Sequence, residues 1–91
     1  MLNINSMVKR REDIDVTEFN NEKVMMDIEN GKYYALNEVG ALIWDLIEEK
    51  IIVSNIINKL LEEYDIDNTR CTKEVLDYLI NLDKEKLILV E

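Results

Sequence analysis

Residues 30–49 read NGKYYALNEVGALIWDLIEE, and the folding of this stretch decides the rest. Asn30-Gly31 between two apolar runs is the strongest short-range hairpin signal, because both residues tolerate the left-handed backbone a tight turn needs. KYYAL, residues 32–36, then reads as a strand carrying one charge and no proline. Asn37 is placed to cap a helix, and Val39, Leu42, Ile43, Leu46 and Ile47 follow at helical spacing.

Upstream, EKVMMDI (22–28) has strand composition and supplies the other arm of the hairpin. Side-chain faces choose the loop length. A two-residue Asn-Gly loop pairs Ile28 with Tyr33 and sets Val24, Met26 and Ile28 on one face with Tyr33 and Ala35. A three-residue loop with Gly31 left-handed groups Val24, Met26, Ile28, Tyr34 and Leu36 instead. A one-residue slip swaps faces, and the second register gathers the more apolar set, so it is the expected one. Residues 4–11 alternate weakly and are expected as a first strand; EDIDVTEFNN (12–21) is acidic and turn-like. Downstream, a second helix carries Val53, Ile56, Ile57, Leu60, Leu61 and Tyr64. The turn DIDNTRCT offers several capping residues. A third helix carries Val75, Leu79 and Leu82, with Leu76 and Ile80 widening its apolar face. KLILVE at the end reads as a short strand or an extended tail. The expected fold is α+β and winged helix-turn-helix-like: a three-stranded antiparallel N-terminal sheet followed by three α-helices, in one domain spanning 1–91.

Composition narrows function. Of 91 residues 34% are charged, with a net charge of −9, which opposes nucleic acid and anionic membrane surfaces, since both call for clustered Lys and Arg. The one basic cluster, Lys9-Arg10-Arg11, is followed at once by acidic residues. Histidine is absent, removing the commonest metal ligand and general base. A single Cys71 makes no internal disulfide and points to a reducing, cytoplasmic setting. No nucleophile–base pair or metal set is visible, so no enzyme, metal or cofactor is expected.

The run Gly31–Trp44, GKYYALNEVGALIW, resembles the signature of the PqqD-like family, roughly G-x-Y-Y-x-L-N-x-x-G-x-x-I-W. Ile56, Leu60 and Tyr64-Asp65 are similar to the family's second helix, and Val75, Leu79 and Leu82 to its third, so the likeness runs from about Val8 to Leu89. One departure stands out. The family often has Asp-Gly and a Ser or Thr cap between its first two helices, where this chain reads Glu48-Glu49-Lys50-Ile51-Ile52. The resemblance implies a RiPP recognition element, a non-catalytic domain that binds the leader segment of a ribosomally made precursor peptide. It hands the precursor to a partner such as a leader peptidase or a radical SAM enzyme. The leader adds as a strand beside Lys32, Tyr33, Tyr34, Ala35 and Leu36 and packs against the helix at 72–84, with Leu76, Leu79, Ile80 and Asp83 as groove positions. A monomer or weak dimer is implied, with no nucleic-acid or membrane partner.

Elementary chemistry leads to the same strand. The last strand of a small meander has an unpaired edge, and proteins blunt such edges with charge, proline or bulges; KYYAL has little of these. An edge left open invites a peptide strand. The blander readings stand beside this one: paired tyrosines as simple packing, Trp44 as core, Cys71 as inert, and the carboxylates Glu48, Glu49, Glu62, Glu63 and Asp65 as a solvated surface. The runner-up function is a winged-helix DNA-binding regulator or another protein-interaction adaptor. For DNA the third helix offers only a mixed face of Lys73, Glu74, Asp77, Asn81, Lys84 and Glu85.

Overall fold

The computed structural model describes residues 2–20 and 22–91; residue 21, at the end of the expected 12–21 turn, lies outside. The chain runs β1 (Met7–Arg10), β2 (Asp15–Phe19), β3 (Glu22–Asp27), β4 (Lys32–Leu36), α1 (Glu38–Leu46), β5 (Ile51–Ile52), α2 (Val53–Glu63), α3 (Asn68–Lys84) and β6 (Ile88–Val90). The class is α+β, with antiparallel strands in two three-stranded sheets, ordered β2-β3-β4 and β5-β1-β6. Among the described residues no helix is long and apolar enough to cross a membrane.

Three sequence expectations are corrected here. The N-terminal sheet exists, but its first strand is β2, drawn from the acidic segment expected to be a turn. The strand expected over 4–11 is β1, which pairs with β5 and β6 in the other sheet. The final KLILVE supplies β6, so the strand alternative holds.

The hairpin register is the third correction. Asp27 pairs with Lys32, Met25 with Tyr34 and Lys23 with Leu36, so four residues, Ile28 to Gly31, make the turn. Gly31 is left-handed as expected, at φ 67°. Tyr34 and Leu36 do face the helices, but β3 presents Lys23, Met25 and Asp27 beside them, not Val24, Met26 and Ile28; Ile28 is 70% exposed. Counting apolar residues failed because an aspartate takes an inward position. Asp27 is 1% exposed, accepts hydrogen bonds from Asn30 N–H at 3.3 Å and Asn30 Nδ2 at 2.7 Å, and lies 3.8 Å from the Arg11 guanidinium. A buried carboxylate so partnered closes the turn from within.

Arg11 is the other half of this arrangement. Its Nη1 donates to Lys86 O at 2.8 Å and its backbone N–H to Leu87 O at 3.0 Å, tying the start of the second sheet's C-terminal strand to the hairpin turn. Arg10 donates to Trp44 O at 3.1 Å with its guanidinium 5.5 Å over the indole. Lys9 pairs with Glu12 at 3.1 Å. The basic cluster of the sequence is therefore engaged within the fold rather than presented as a phosphate-binding stripe.

Helix α1 begins where the spacing places it: Asn37 Oδ1 accepts Gly40 N–H at 2.7 Å. Asp67 caps α3 by accepting Arg70 N–H at 3.1 Å. Helix α2 has no side-chain cap. Its first amides, Val53 and Ser54, donate instead to Ser6 O at 2.9 Å and Ile4 O at 3.0 Å, carbonyls of the segment before β1. This accounts for the missing glycine and cap at 48–52: Ile51-Ile52 pair with β1, and the N-terminal loop supplies the acceptors. Trp44, Ile47, Val53, Ile56, Leu79 and Leu87 are fully buried and form the centre of the core between helices and sheets.

Asp27→Ala removes both Asn30 acceptors and the inner partner of Arg11. We expect it to lower stability by about 1–2 kcal/mol with an unchanged m-value in urea unfolding; a loss below the error of that measurement rules out the turn-closing role.

Candidate functional site

Strand β4 pairs with β3 on one side, and among the described residues no strand pairs with its other side. Its alternation divides the tyrosines. Tyr33 and Ala35 point outward, Tyr33 being 73% exposed, while Lys32, Tyr34 and Leu36 turn toward the helices. The outward set continues across Val24 and Met26, the partners of Ala35 and Tyr33.

Helix α3 runs past this edge. Near its end Glu85 Oε2 accepts the Tyr34 hydroxyl at 2.9 Å and Lys32 Nζ at 3.1 Å, a polar clasp between the edge strand and the helix. The Tyr34 bond and then the Lys32 cation hold the Glu85 carboxyl below its ordinary range. Burial and then the Glu85 bond push the Tyr34 phenol up.

Near the middle of α3, Tyr78 packs on Gly40 at the first turn of α1. A Cβ at Gly40 would lie 3.0 Å from Tyr78 Oη and 3.2 Å from Asn37 Oδ1, so the absence of a side chain lets the ring approach. Tyr78 Oη is shut off from solvent and has no hydrogen-bond partner among the described residues. Burial raises its phenol pKa to about 12, so it keeps its proton. Two clefts meet at this ring. One, of about 420 Å³, runs between α1 and α3 and is lined by Val39, Ile43, Leu60, Ile66 and Val75. The other, of about 860 Å³, opens below Ala35 and Leu36.

These contacts orient α3. At about 100° per residue, Glu74, Asn81 and Glu85 lie within roughly 60° of Tyr78 and share its flank. Leu76, Ile80 and Asp83 lie roughly 140–160° away, on the opposite flank. Leu79, 0% exposed, belongs to the core; Leu76 packs partly against the core, and Ile80 and Asp83 are exposed. The structure thus gathers Lys32, Tyr34 and Leu36 with Tyr78 and Glu85, and does not bring Leu76, Leu79, Ile80 or Asp83 to that place. Sequence reasoning missed Tyr78, Glu85 and Asn37's second role as a cleft wall. Helical spacing shows that α3 has an apolar face but not which flank of that face borders a given strand. Cys71 is buried with its thiol pushed up by that burial, which suits packing rather than nucleophilic chemistry.

The profile of the family described as coenzyme PQQ synthesis protein D (PqqD) matches residues 22–88. The chain belongs to the PqqD family. The match begins at β3 and ends in β6, so it takes in the edge strand and all three helices, and it bears out the resemblance read from Gly31–Trp44. Two solved structures are similar. "TbiB1 in complex with the TbiA(beta) leader peptide" superposes with a TM-score of 0.78 at 26% identity, over 88% of this chain and 93% of that one. A lasso peptide synthetase B1 complexed with the leader peptide has the same TM-score, 0.78, at 22% identity, over 90% and 96%. A comparison with curated proteins finds no match. In this PqqD-family chain the edge strand, the helix beside it and the Tyr34–Glu85–Lys32 clasp between them all lie within the matched residues.

The clasp gives a pH prediction. A carboxyl depressed in the folded state stabilises above its unfolded pKa, and that contribution is lost as pH falls through the folded value. Carboxylate NMR should place the Glu85 midpoint below the ordinary 4.5, and Tyr34→Phe should move it back toward that value. A midpoint indifferent to Tyr34→Phe would show that the bond is absent in solution.

Proposed function

We propose that this chain, over residues 1–91, is a non-catalytic recognition unit that binds the leader segment of a ribosomally made precursor peptide by strand addition and delivers it to a modifying or processing enzyme. The observation that carries it is the unpaired side of β4 with the Tyr78 flank of α3 standing beside it, in a chain 26% identical to a protein solved with a leader peptide. Backbone pairing along Lys32–Leu36 supplies affinity, and inward pockets at alternate positions supply specificity. Tyr33 and Ala35, pointing outward, extend the sheet surface beside the bound strand. On the helix the contact residues are Tyr78, Glu74 and Glu85, in place of Leu76, Leu79, Ile80 and Asp83. The hairpin and three helices are read as a winged-helix-like arrangement put to peptide rather than DNA use; the engagement of Lys9, Arg10 and Arg11 inside the fold weighs against the DNA alternative.

A tethered precursor raises its own effective concentration at the partner's active site, so the unit contributes to turnover without chemistry of its own. The partner is a leader peptidase or a radical SAM enzyme, and the work is done in the cytoplasm by a monomer or weak dimer.

Titration with the leader of a precursor encoded beside this gene should shift the amides of Lys32–Leu36 and of the Glu74–Glu85 flank. Ala35→Pro should weaken that binding more than roughly tenfold with an unchanged far-UV circular dichroism spectrum. Full affinity in the proline variant, or shifts confined to the Leu76–Ile80 flank, would refute strand addition at β4.

A further inference from the structure

We propose that Glu85 sorts bound peptides by side-chain size: its clasp with Tyr34 and Lys32 closes the slot between β4 and α3 at one end, so the added strand carries a small inward residue opposite Tyr34 and accepts a large one opposite Leu36. The inference rests on the peptide-recognition reading above and names a specificity of that same site.

Both sides of the clasp are fixed to well-held backbone. Glu85 ends α3, its N–H bonded to Asn81 O at 3.1 Å. The chain then turns through Lys86, left-handed at φ 59°, into Leu87, whose N–H reaches back to Leu82 O at 2.9 Å and whose side chain is fully buried. Across the slot, Tyr34 pairs with Met25 and Lys32 with Asp27, strand partners that are each 1% exposed. The 2.9 Å bond from Tyr34 Oη to Glu85 Oε2 therefore sets the distance between strand and helix at that level, and Lys32 Nζ lies 3.1 Å from the same oxygen. A carboxylate at a helix C-terminus meets an adverse macrodipole, which the Lys32 cation offsets.

The other end of the strand is built differently. Leu36 has no polar side-chain atom to tie it to α3, and the cleft of about 860 Å³ opens beside it. A strand added to β4 sends alternate side chains toward the helices, level with Tyr34 and with Leu36 in turn. Two peptide positions, separated by a single outward residue, thus meet opposite conditions. Opposite Leu36 a large side chain enters existing space. Opposite Tyr34 it enters only by parting the clasp. The Lys32 and Glu85 side chains are 57% and 43% exposed, so parting them loses two half-solvated contacts rather than a buried ion pair. The outcome is a graded preference of roughly fivefold, not exclusion.

Linear peptides selected from a random display library against the full chain, and shown to shift the Lys32–Leu36 amides, test this. Interstrand amide contacts in NMR assign the peptide residue opposite Tyr34 and the one opposite Leu36. Tryptophan in place of alanine opposite Tyr34 should weaken binding roughly fivefold, while the same exchange opposite Leu36 should cost nothing. In Glu85→Ala the penalty opposite Tyr34 should vanish, whatever that variant's affinity for the alanine peptide, because the ratio isolates the clasp. Glu85→Gln, which keeps an acceptor for the Tyr34 hydroxyl, should retain part of it. Tyr34→Phe, lacking only the hydroxyl, should reduce it as well and serves if Glu85→Ala does not fold. A residue that merely stabilises the fold would lower the thermal unfolding midpoint and weaken all peptides alike, leaving the ratio unchanged. That result, or equal tolerance of tryptophan at both positions in the unaltered chain, overturns the sorting role while strand addition stands. Selection yielding no peptide that moves the β4 amides overturns both.

Discussion

The two sheets meet through one buried charge. Asp27 sits at an inward position of β3, bonded to its own turn through Asn30 and facing Arg11, whose other contacts reach Asp13, Glu29 and the carbonyl of Lys86. A buried carboxylate without partners would be costly, and removing either half of such a pair leaves the other exposed to that cost. The pair thus couples three things: the four-residue turn, the hairpin register, and the place where the chain leaves β1 for β2 of the N-terminal sheet. Because register is coupled to the turn, so is the orientation of β4. Tyr34 and Leu36 face the helices and Tyr33 faces out as a consequence of a contact several residues away.

That orientation makes β4 usable. An edge strand is ordinarily a hazard, protected by charge or by a covering element. Here one end is held to α3 by Lys32, Tyr34 and Glu85, and the other opens onto Tyr78 and the two clefts that meet there. The edge is flanked without being filled. A domain of this size has little room for a deep enclosed pocket, and a sheet edge with a helical wall offers a long contact for little buried volume. Acidic side chains gather at one end of that contact, around the cleft below Leu36.

Much of the fold was legible in linear order. Asn-Gly before KYYAL, Asn37 before an apolar 3.6-residue period, and Asp67 before another specify the hairpin arm, α1 and α3 through local rules that hold in any context. The edge strand was legible for the same reason: a short aromatic run with one charge declares itself. Three things were not. The first strand of the N-terminal sheet came from DVTEF, whose acidic residues hid a pairing that β3 imposes from outside. The hairpin register was misjudged because apolar counting assigns Asp27 to solvent. The uncapped start of α2 looked like a defect until Ser6 and Ile4 supplied its acceptors.

The helical half of the site shows the same division. Periodicity alone established that α3 is amphipathic and that Val75, Leu79 and Leu82 are its core line, because burial of a stripe is an average property of the helix. Which flank borders β4 is a matter of rotation by less than half a turn about the helix axis, and hydrophobicity does not distinguish the two flanks. Packing of Tyr78 against a side-chain-free Gly40, and of Glu85 against Tyr34, sets that rotation. The sequence by itself determined the three helices, the β3 and β4 arms of the hairpin and the net charge, since these are local or summed quantities. The tertiary structure alone decided the register, the second sheet and the side chains that face the edge, since each depends on a contact between residues far apart in the chain.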